Sequence, residues 1–203
     1  MKNILISPKI TKNKHNAISR EIEDNWNTFF NKKKINLLTL NLDQNIEFKI
    51  KKANLSGIIL HGGNNLTKFS NEKENVLRKK IDTKLLVHGI KRNIPILGVC
   101  YGFQLIAEYF GNKVYKIRKH VNTKQKLNFK KKGLLYKIEV NSFHNYAIYK
   151  LPKDFNEIVR CKDKSIEYAF SKNKKIMCTM FHPERKNWDK SFIRKMVFKH
   201  FKI

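Results

Sequence analysis

The chain has few cysteines and no long apolar run. Its three cysteines are an odd number without Cys-x-x-Cys spacing, which argues against a disulfide framework and against a zinc site. No run approaches the roughly 18–20 apolar residues that span a bilayer, and the apolar stretch near the N-terminus is shorter than the core of a signal peptide. We therefore expect a protein of the reducing cytoplasm that needs no metal or other cofactor.

Acidic residues are also scarce, 16 against 44 lysines and arginines, which gives a formal net charge of +28. The basic residues are spread along the whole chain, so the charge alone does not establish nucleic-acid binding. The accompanying abundance of Lys, Asn and Ile is typical of codon bias in an AT-rich genome. Composition leaves this explanation and an anionic partner equally open.

Linkers rich in Pro and Ser, internal repeats and low-complexity tracts are absent as well. A chain of 203 residues fits one domain, and a hydrophobic content of 41% supplies a core and argues against disorder. We therefore expect a single domain over residues 1–203.

Short apolar runs alternate with helical patterns in the first half of the chain, which is typical of βαβ units and a parallel sheet. This half predicts strands at Asn3–Ser7, Ile35–Leu40, Gly57–Leu60 and Pro95–Val99, and helices at Ala17–Phe30, Glu72–Arg92 and Tyr101–Phe110. The second half predicts antiparallel additions to the sheet and a closing helix, namely strands at Leu134–Val140, Glu157–Cys161, Ser165–Phe170 and Ile176–Phe181 and a helix at Trp188–Phe201. The Lys-rich stretch Lys113–Lys132 is the least patterned, and we expect a mobile loop there.

Cys100 lies in the sequence Gly98-Val-Cys-Tyr-Gly102, which joins a predicted strand to a predicted helix. Glycines on both sides permit a sharp turn of the kind that presents a nucleophile. The first turn of a helix favours the thiolate and can lower a thiol pKa from about 8.5 to about 3.5–7.5. We expect Cys100 to be a nucleophile, and a buried cysteine before an ordinary helix is the alternative.

A cysteine nucleophile needs a histidine as its acid and base, and His182 is the strongest candidate among seven. It follows a predicted strand in Phe-His-Pro-Glu-Arg, where Glu184 can hold one imidazole nitrogen and complete a triad. The backbone N–H groups of Tyr101, which follows the nucleophile, and of Gly63, in the paired glycines of HGGNN, are the expected oxyanion donors. The alternative is a strand-end histidine beside a turn proline, with Glu184 in solvent.

The segments HGGNN, LGVCYGFQ, VNSFHNYAI and FHPER occur in the order and spacing of class I glutamine amidotransferase domains. The chain resembles this family over nearly its whole length, and in particular the γ-glutamyl hydrolase branch. The resemblance implies a doubly wound α/β fold, with a mostly parallel central sheet flanked by helices. It also implies the same roles for the triad and for the two oxyanion donors.

The resemblance assigns further residues to the substrate. It implies that Gln104 and the backbone of Ser142 and Phe143 hold the α-amino and α-carboxylate groups of the glutamyl moiety. His144 matches a second histidine near the catalytic cysteine of the hydrolases, whereas amidotransferase subunits usually differ here. The alternative for His144 is an ordinary loop histidine.

Two positions depart from the branch. Tyr101 stands where these hydrolases often have arginine, and Tyr146 stands where they often have glutamine. We therefore expect a leaving group different from that of the γ-glutamyl-aminobutyrate hydrolases.

Three functions follow, in order of preference. The first is a freestanding hydrolase that releases glutamate from a small γ-glutamyl amide, and the basic charge favours a leaving group that is anionic or nucleotide-bearing. The resemblance implies cytidine diphosphoramidate as the specific leaving group. The second is a glutaminase subunit that supplies ammonia to a separate synthase. The third is a basic RNA-binding or scaffold module, which leaves the triad unexplained. We expect no nucleic-acid or membrane partner; the basic residues that could meet a diphosphate, or remain solvated, are Lys113, Lys116, Arg118, Lys119 and Lys124.

Overall fold

The computed structural model describes residues 1–31, 34–39, 46–131 and 133–203. The strands are β1 (Lys2–Ser7), β2 (Lys9–Lys12), β3 (Ile18–Glu21), β4 (Ile35–Leu38), β5 (Leu55–Leu60), β6 (Ile96–Val99), β7 (Val114–Lys116), β8 (Val121–Lys131), β9 (Leu134–Phe143), β10 (Tyr146–Ile148), β11 (Glu157–Arg160), β12 (Ile166–Ser171) and β13 (Ile176–Thr179). The helices are α1 (Asn25–Phe30), α2 (Ile46–Lys52), α3 (Lys73–Lys91), α4 (Tyr101–Tyr109) and α5 (Lys190–Phe201).

Seven strands form the central sheet in the order β11-β12-β13-β6-β5-β1-β4. The five strands from β13 to β4 are parallel to one another, whereas β12 is antiparallel to β13 and β11 is antiparallel to β12. The expected α/β fold is therefore confirmed, with a mostly parallel sheet and antiparallel strands from the C-terminal half.

Helices cover both faces of this sheet, because its central strands are apolar on both sides. In β5, Ile58 and Leu60 belong to a core cluster that includes α3 and α4 side chains, whereas Ile59 belongs to the opposite cluster with α1 and α5. Two cores on the two faces of one sheet are typical of a doubly wound domain. No helix in the described ranges is both long and apolar enough to cross a bilayer.

The helix predicted over Ala17–Phe30 is wrong in its first half. Residues Ile18–Glu21 form β3, which pairs with β2 in a hairpin, and the helix begins only at Asn25. Trp26 lies in the core, whereas Ile18 is 40% exposed. The helical spacing of Ile18 and Trp26 was therefore coincidental, because only the second contributes to the buried face.

The loop predicted over Lys113–Lys132 is also wrong, although Lys132 itself lies outside the described residues. The segment contains β7 and β8, and β8 pairs with β9 in a long antiparallel hairpin. Leu127 and Phe129 are buried, whereas Lys126 and Asn128 are exposed. Buried and exposed residues therefore alternate as in a strand, although many of the residues are lysines. The predicted strand Leu134–Val140 belongs to this hairpin and is not an addition to the central sheet.

The other elements agree with prediction to within a few residues at their ends. Helix α2 was not predicted, and Leu40, the predicted end of the second strand, lies outside the described residues. Gly111, predicted to end α4, has a φ of +77°, as expected of a glycine after a helix.

Candidate active site

Cys100 lies between β6 and α4, at the edge of the sheet where the parallel strands end. Its backbone has φ +50° and ψ −103°, a conformation that costs a non-glycine residue about 1–3 kcal/mol. The N–H of Cys100 donates to the Thr179 carbonyl at 2.8 Å, and its carbonyl accepts from the Gln104 N–H at 3.0 Å. The neighbouring strand and the following helix together hold the residue in this turn.

The glycines on either side of Cys100 allow this arrangement. A Cβ at Gly102 would overlap the carbonyl of Leu60, and a Cβ at Gly98 would lie 2.5 Å from Ile106 Cδ1. Helix α4 therefore packs directly against the backbone of β5.

His182 and Glu184 lie close to Cys100, as the sequence predicts. The Nδ1–H of His182 donates to Glu184 Oε1 at 2.7 Å, and the thiol of Cys100 is hydrogen-bonded to the same imidazole. All three side chains are buried. The carboxylate, the imidazole and the thiol form a chain in which each group orients the next.

This chain shifts the pKa values of both Cys100 and His182. Burial raises the pKa of Cys100, but the hydrogen bond and charge of His182, with the charges of His144 and Arg185, lower it below its ordinary value. Burial lowers the pKa of His182, but the charge of Glu184 and the hydrogen bond to Cys100 raise it to about 10. The pair therefore favours a thiolate beside an imidazolium.

Asn141 and Asn187 fix the turn that carries His182. Asn141 Oδ1 accepts from the His182 N–H at 2.9 Å, and both amide groups donate to the His182 carbonyl at 2.8 Å. Nothing in the sequence pattern assigns this role to either residue, although Asn141 lies within the VNSFH motif.

Tyr101 and Gly63, the predicted oxyanion donors, lie at the start of α4 and in the turn after β5. Tyr101 begins α4 directly after Cys100, and Gly63 has a φ of +113° in the turn that follows β5. Gly62 is a further residue of the site, because a Cβ there would lie 2.6 Å from His182 Cε1 and 3.4 Å from Cys100 Cβ. Its missing side chain leaves room beside the Cys–His pair.

Arg78 holds this edge of the sheet from α3. Its fully buried guanidinium donates to Asp82 at 2.7 Å, to the Ser7 hydroxyl at 3.0 Å, to the His61 carbonyl at 2.8 Å and to the Pro8 carbonyl. The residues that follow β1 and β5 are thereby linked to one helix.

The predicted substrate residues lie on different sides of the Cys–His pair. Gln104 is buried one turn into α4, with its amide 3.7 Å from the sulfur of Met180. The Ser142 hydroxyl donates to the His120 carbonyl at 2.7 Å, and the ring of Phe143 lies edge-on to His182 with centroids 6.3 Å apart. Tyr146 stacks on Phe69 at 4.2 Å.

His144 is buried close to the site, between two acceptors. Its Nδ1–H donates to the Tyr146 carbonyl at 2.9 Å, and its Nε2 lies 3.4 Å from Glu167 Oε1. Burial lowers the pKa of His144, but the close contact and charge of the buried Glu167 and the charge of Cys100 raise it above its ordinary value. No sequence pattern indicates Glu167 as its partner.

Among the residues that the structure describes, three groups of side chains bring metal-ligand types within 4.8 Å of one another. They are His120, His144 and Glu167; His120, Cys161 and Asp163; and Glu23, His182 and Glu184. In each group a histidine nitrogen already faces a carboxylate oxygen of the protein, at 2.9, 3.4 and 2.7 Å.

The basic residues expected at a diphosphate do not form one cluster. Lys113 lines a cavity with Tyr115 and Tyr149, whereas Lys124 lines another with Arg185, next to the site. Lys116, Arg118 and Lys119 are not among the described residues that line either cavity.

The chain is similar in sequence to a known family and to known proteins. The chain matches the family described as glutamine amidotransferase class-I over residues 20–200. It is 36% identical over 166 residues to the gamma-glutamyl-CDP-amidate hydrolase of Campylobacter jejuni, an alignment that covers 80% of this chain and 79% of that protein. It is 33% identical over 140 residues to the glutamine-hydrolyzing GMP synthase subunit of Pyrococcus abyssi, covering 66% of this chain and 69% of that one.

Solved structures show the same fold. A Thermoplasma acidophilum protein assigned as a GMP synthase subunit matches with a TM-score of 0.71 and 22% identity, over 99% of this chain and 92% of its own. A glutamine amidotransferase from Thermotoga maritima matches with a TM-score of 0.64 and 17% identity, over 99% and 82%. The chain belongs to the class I glutamine amidotransferase family of enzymes.

Proposed function

We propose that the protein hydrolyses a γ-glutamyl amide, with Cys100 as the nucleophile. The observation that carries this proposal is the buried chain from Glu184 through His182 to the thiol of Cys100. A thiolate held beside an imidazolium supplies both a nucleophile and the proton that an amine leaving group needs.

The reaction proceeds in two steps. In the first, the Cys100 thiolate attacks the γ-carbonyl carbon, His182 gives its proton to the amide nitrogen, and the C–N bond breaks to leave a γ-glutamyl thioester. In the second, neutral His182 takes a proton from water, the hydroxide attacks the thioester, and Cys100 leaves as the thiolate with release of glutamate. The N–H groups of Gly63 and Tyr101 stabilise the oxyanion of each step.

The glutamyl group is held next to this chain. Gln104 lies one turn after the nucleophile, and the backbone of Ser142 and Phe143 lies on the side of His182. These residues bind the α-amino and α-carboxylate groups, and the leaving group extends away from them.

The preferred substrate is γ-glutamyl-CDP-amidate, which gives glutamate and cytidine diphosphoramidate. The similarity to the Campylobacter jejuni hydrolase supports this choice, and the net charge of +28 suits a nucleotide-bearing leaving group. The similarity to the Pyrococcus abyssi GMP synthase subunit supports a second candidate, a glutaminase that delivers ammonia to a separate synthase.

One assay separates the two candidates. Glutamate release by the purified protein is measured from γ-glutamyl-CDP-amidate and from free glutamine, side by side. We expect turnover of the nucleotide amide to exceed that of glutamine by at least about a hundredfold in kcat/KM, because binding energy from the leaving group lowers the barrier. Turnover of glutamine that is faster than that of the nucleotide amide contradicts the hydrolase proposal. Glutamine turnover that appears only when a synthase is present contradicts it as well.

The thiolate proposal predicts the pH dependence of alkylation. Because the pKa of Cys100 is lowered, iodoacetamide should modify it at pH 7, whereas burial raises the pKa of Cys161 to about 12 and that of Cys178 well above its ordinary value. Peptide mass spectrometry over pH 5–10 measures the rates. In Glu184→Gln, the His182 pKa falls, the imidazolium is lost at lower pH, and the alkylation profile of Cys100 moves to higher pH.

The control for this profile is Asp154→Asn, which removes an exposed carboxylate paired with Lys174. It should leave the profile in place, because an exposed pair contributes little. An unshifted profile in Glu184→Gln overturns the assignment of Glu184.

His144 acts through its charge in this proposal. Both of its ring nitrogens face acceptors, so it serves as a buried imidazolium that stabilises the Cys100 thiolate and transfers no proton itself.

Replacing Glu167 therefore tests the role of His144. In Glu167→Gln the His144 cation loses its counter-charge, and we expect kcat to fall about tenfold or more, with the alkylation profile of Cys100 moved to higher pH. His144→Ala should show the same two changes. A reduced kcat with an unmoved profile, while circular dichroism shows an intact fold, would assign both residues to packing alone.

A further inference from the structure

A cavity of about 480 Å³ opens beside the proposed active site. It lies between the start of the β8–β9 hairpin and the segment that follows His182. The side chains that line the cavity include Thr123, Lys124, Phe143, Arg185, Lys186 and Trp188. Its volume is in the range of small-molecule sites.

The cavity adjoins the point where the scissile amide is proposed to break. Phe143 lines it and contacts the ring of His182, and Asn141 lines it and holds the His182 backbone. The proton donor to the amide nitrogen is therefore separated from this cavity by one side chain. A leaving group that departs past His182 enters this space.

The cavity wall is strongly basic. It includes Lys124, Arg185 and Lys186, and no carboxylate is among the described residues that line it. Lys124 reaches Glu139 at 3.2 Å and Arg185 is paired with Glu23, whereas the exposed Lys186 has no carboxylate partner in the described part of the chain. At least one positive charge is thus uncompensated, which suits a phosphate.

The same wall offers an aromatic surface. Trp188 is 47% exposed, with the Lys124 ammonium 4.0 Å from the centre of its ring. Phe143, which also lines the cavity, is 38% exposed. Exposed rings next to basic groups are typical of sites that stack a nucleobase and bind its phosphates.

Thr123 supplies an independent observation. Its hydroxyl oxygen is buried and has no hydrogen-bond partner within the described ranges, and the residue lines the cavity. A buried hydroxyl without a partner costs free energy unless a bound group satisfies it.

We propose that this cavity binds the nucleoside diphosphate portion of the leaving group. The base stacks on Trp188, the phosphates contact Lys124 and Lys186, and the Thr123 hydroxyl hydrogen-bonds to a phosphate oxygen. This inference rests on the proposed hydrolysis of a nucleotide-bearing γ-glutamyl amide and assigns the residues that select its leaving group.

The test measures binding of CDP to the full chain, without any turnover. Because Trp26 is buried and Trp188 is exposed, CDP should change the fluorescence of Trp188 in the wild type. Isothermal titration calorimetry should show the Kd raised about tenfold in Trp188→Ala, the usual size of a lost base–aromatic stack, and about fivefold in Lys186→Ala. Lys195→Ala removes an exposed lysine of α5 outside the cavity wall and should leave the Kd unchanged.

Inorganic pyrophosphate separates the two parts of the site. It should bind about tenfold more weakly than CDP, because it has no base to stack on Trp188. Equal binding of pyrophosphate and CDP, an unchanged Kd in both cavity variants, or the absence of CDP binding overturns the proposal.

The proposed nucleotide site and the proposed hydrolysis can each be contradicted independently of the other. If γ-glutamyl-CDP-amidate is hydrolysed while Trp188→Ala and Lys186→Ala bind CDP like the wild type, the function holds and this cavity is not the leaving-group site. If CDP binds with the expected variant effects while no nucleotide amide is hydrolysed, the cavity is a nucleotide site and the proposed function is wrong.

Discussion

The close approach of α4 to β5 is the constraint on which the site depends. It requires that Gly102 have no side chain, because a Cβ there would overlap the Leu60 carbonyl. Cys100, directly before this contact, has a positive φ at a cost of about 1–3 kcal/mol, and its backbone hydrogen bonds with Thr179 and Gln104 hold it in the turn. The thiol is thereby aimed at the end of β13, where His182 follows.

Charges of alternating sign extend through the buried site from this turn. Glu184 is paired with His182, His182 with Cys100, and His144 interacts with both Cys100 and Glu167. Such an arrangement stabilises a thiolate in a buried setting, where burial alone would keep the thiol protonated. At the other two cysteines the balance is opposite: burial raises the pKa of both, and the hydrogen bond to Asp163 raises that of Cys161 further.

The sequence predicts the parts of the fold and site that local patterns encode. The glycines around Cys100 and the apolar runs before them identify a strand, a turn and a helix, and the short spacing of His182 and Glu184 makes their contact predictable. Long-range partners are not encoded in this way. Arg78 and Glu167 are charged residues within regular elements, and only the packing of those elements shows that they are buried. The β8 strand was missed for a related reason, because its many lysines conceal the alternation of Leu127 and Phe129 towards the core.

In the proposed reaction, Cys100 carries the glutamyl group as a thioester. The most direct test is rapid acid quenching of the protein during turnover of γ-glutamyl-CDP-amidate, followed by peptide mass spectrometry. We expect a γ-glutamyl adduct on the peptide that contains Cys100, and neither adduct nor glutamate release in Cys100→Ala. Glutamate release that continues in Cys100→Ala, or an adduct on another residue, would contradict it.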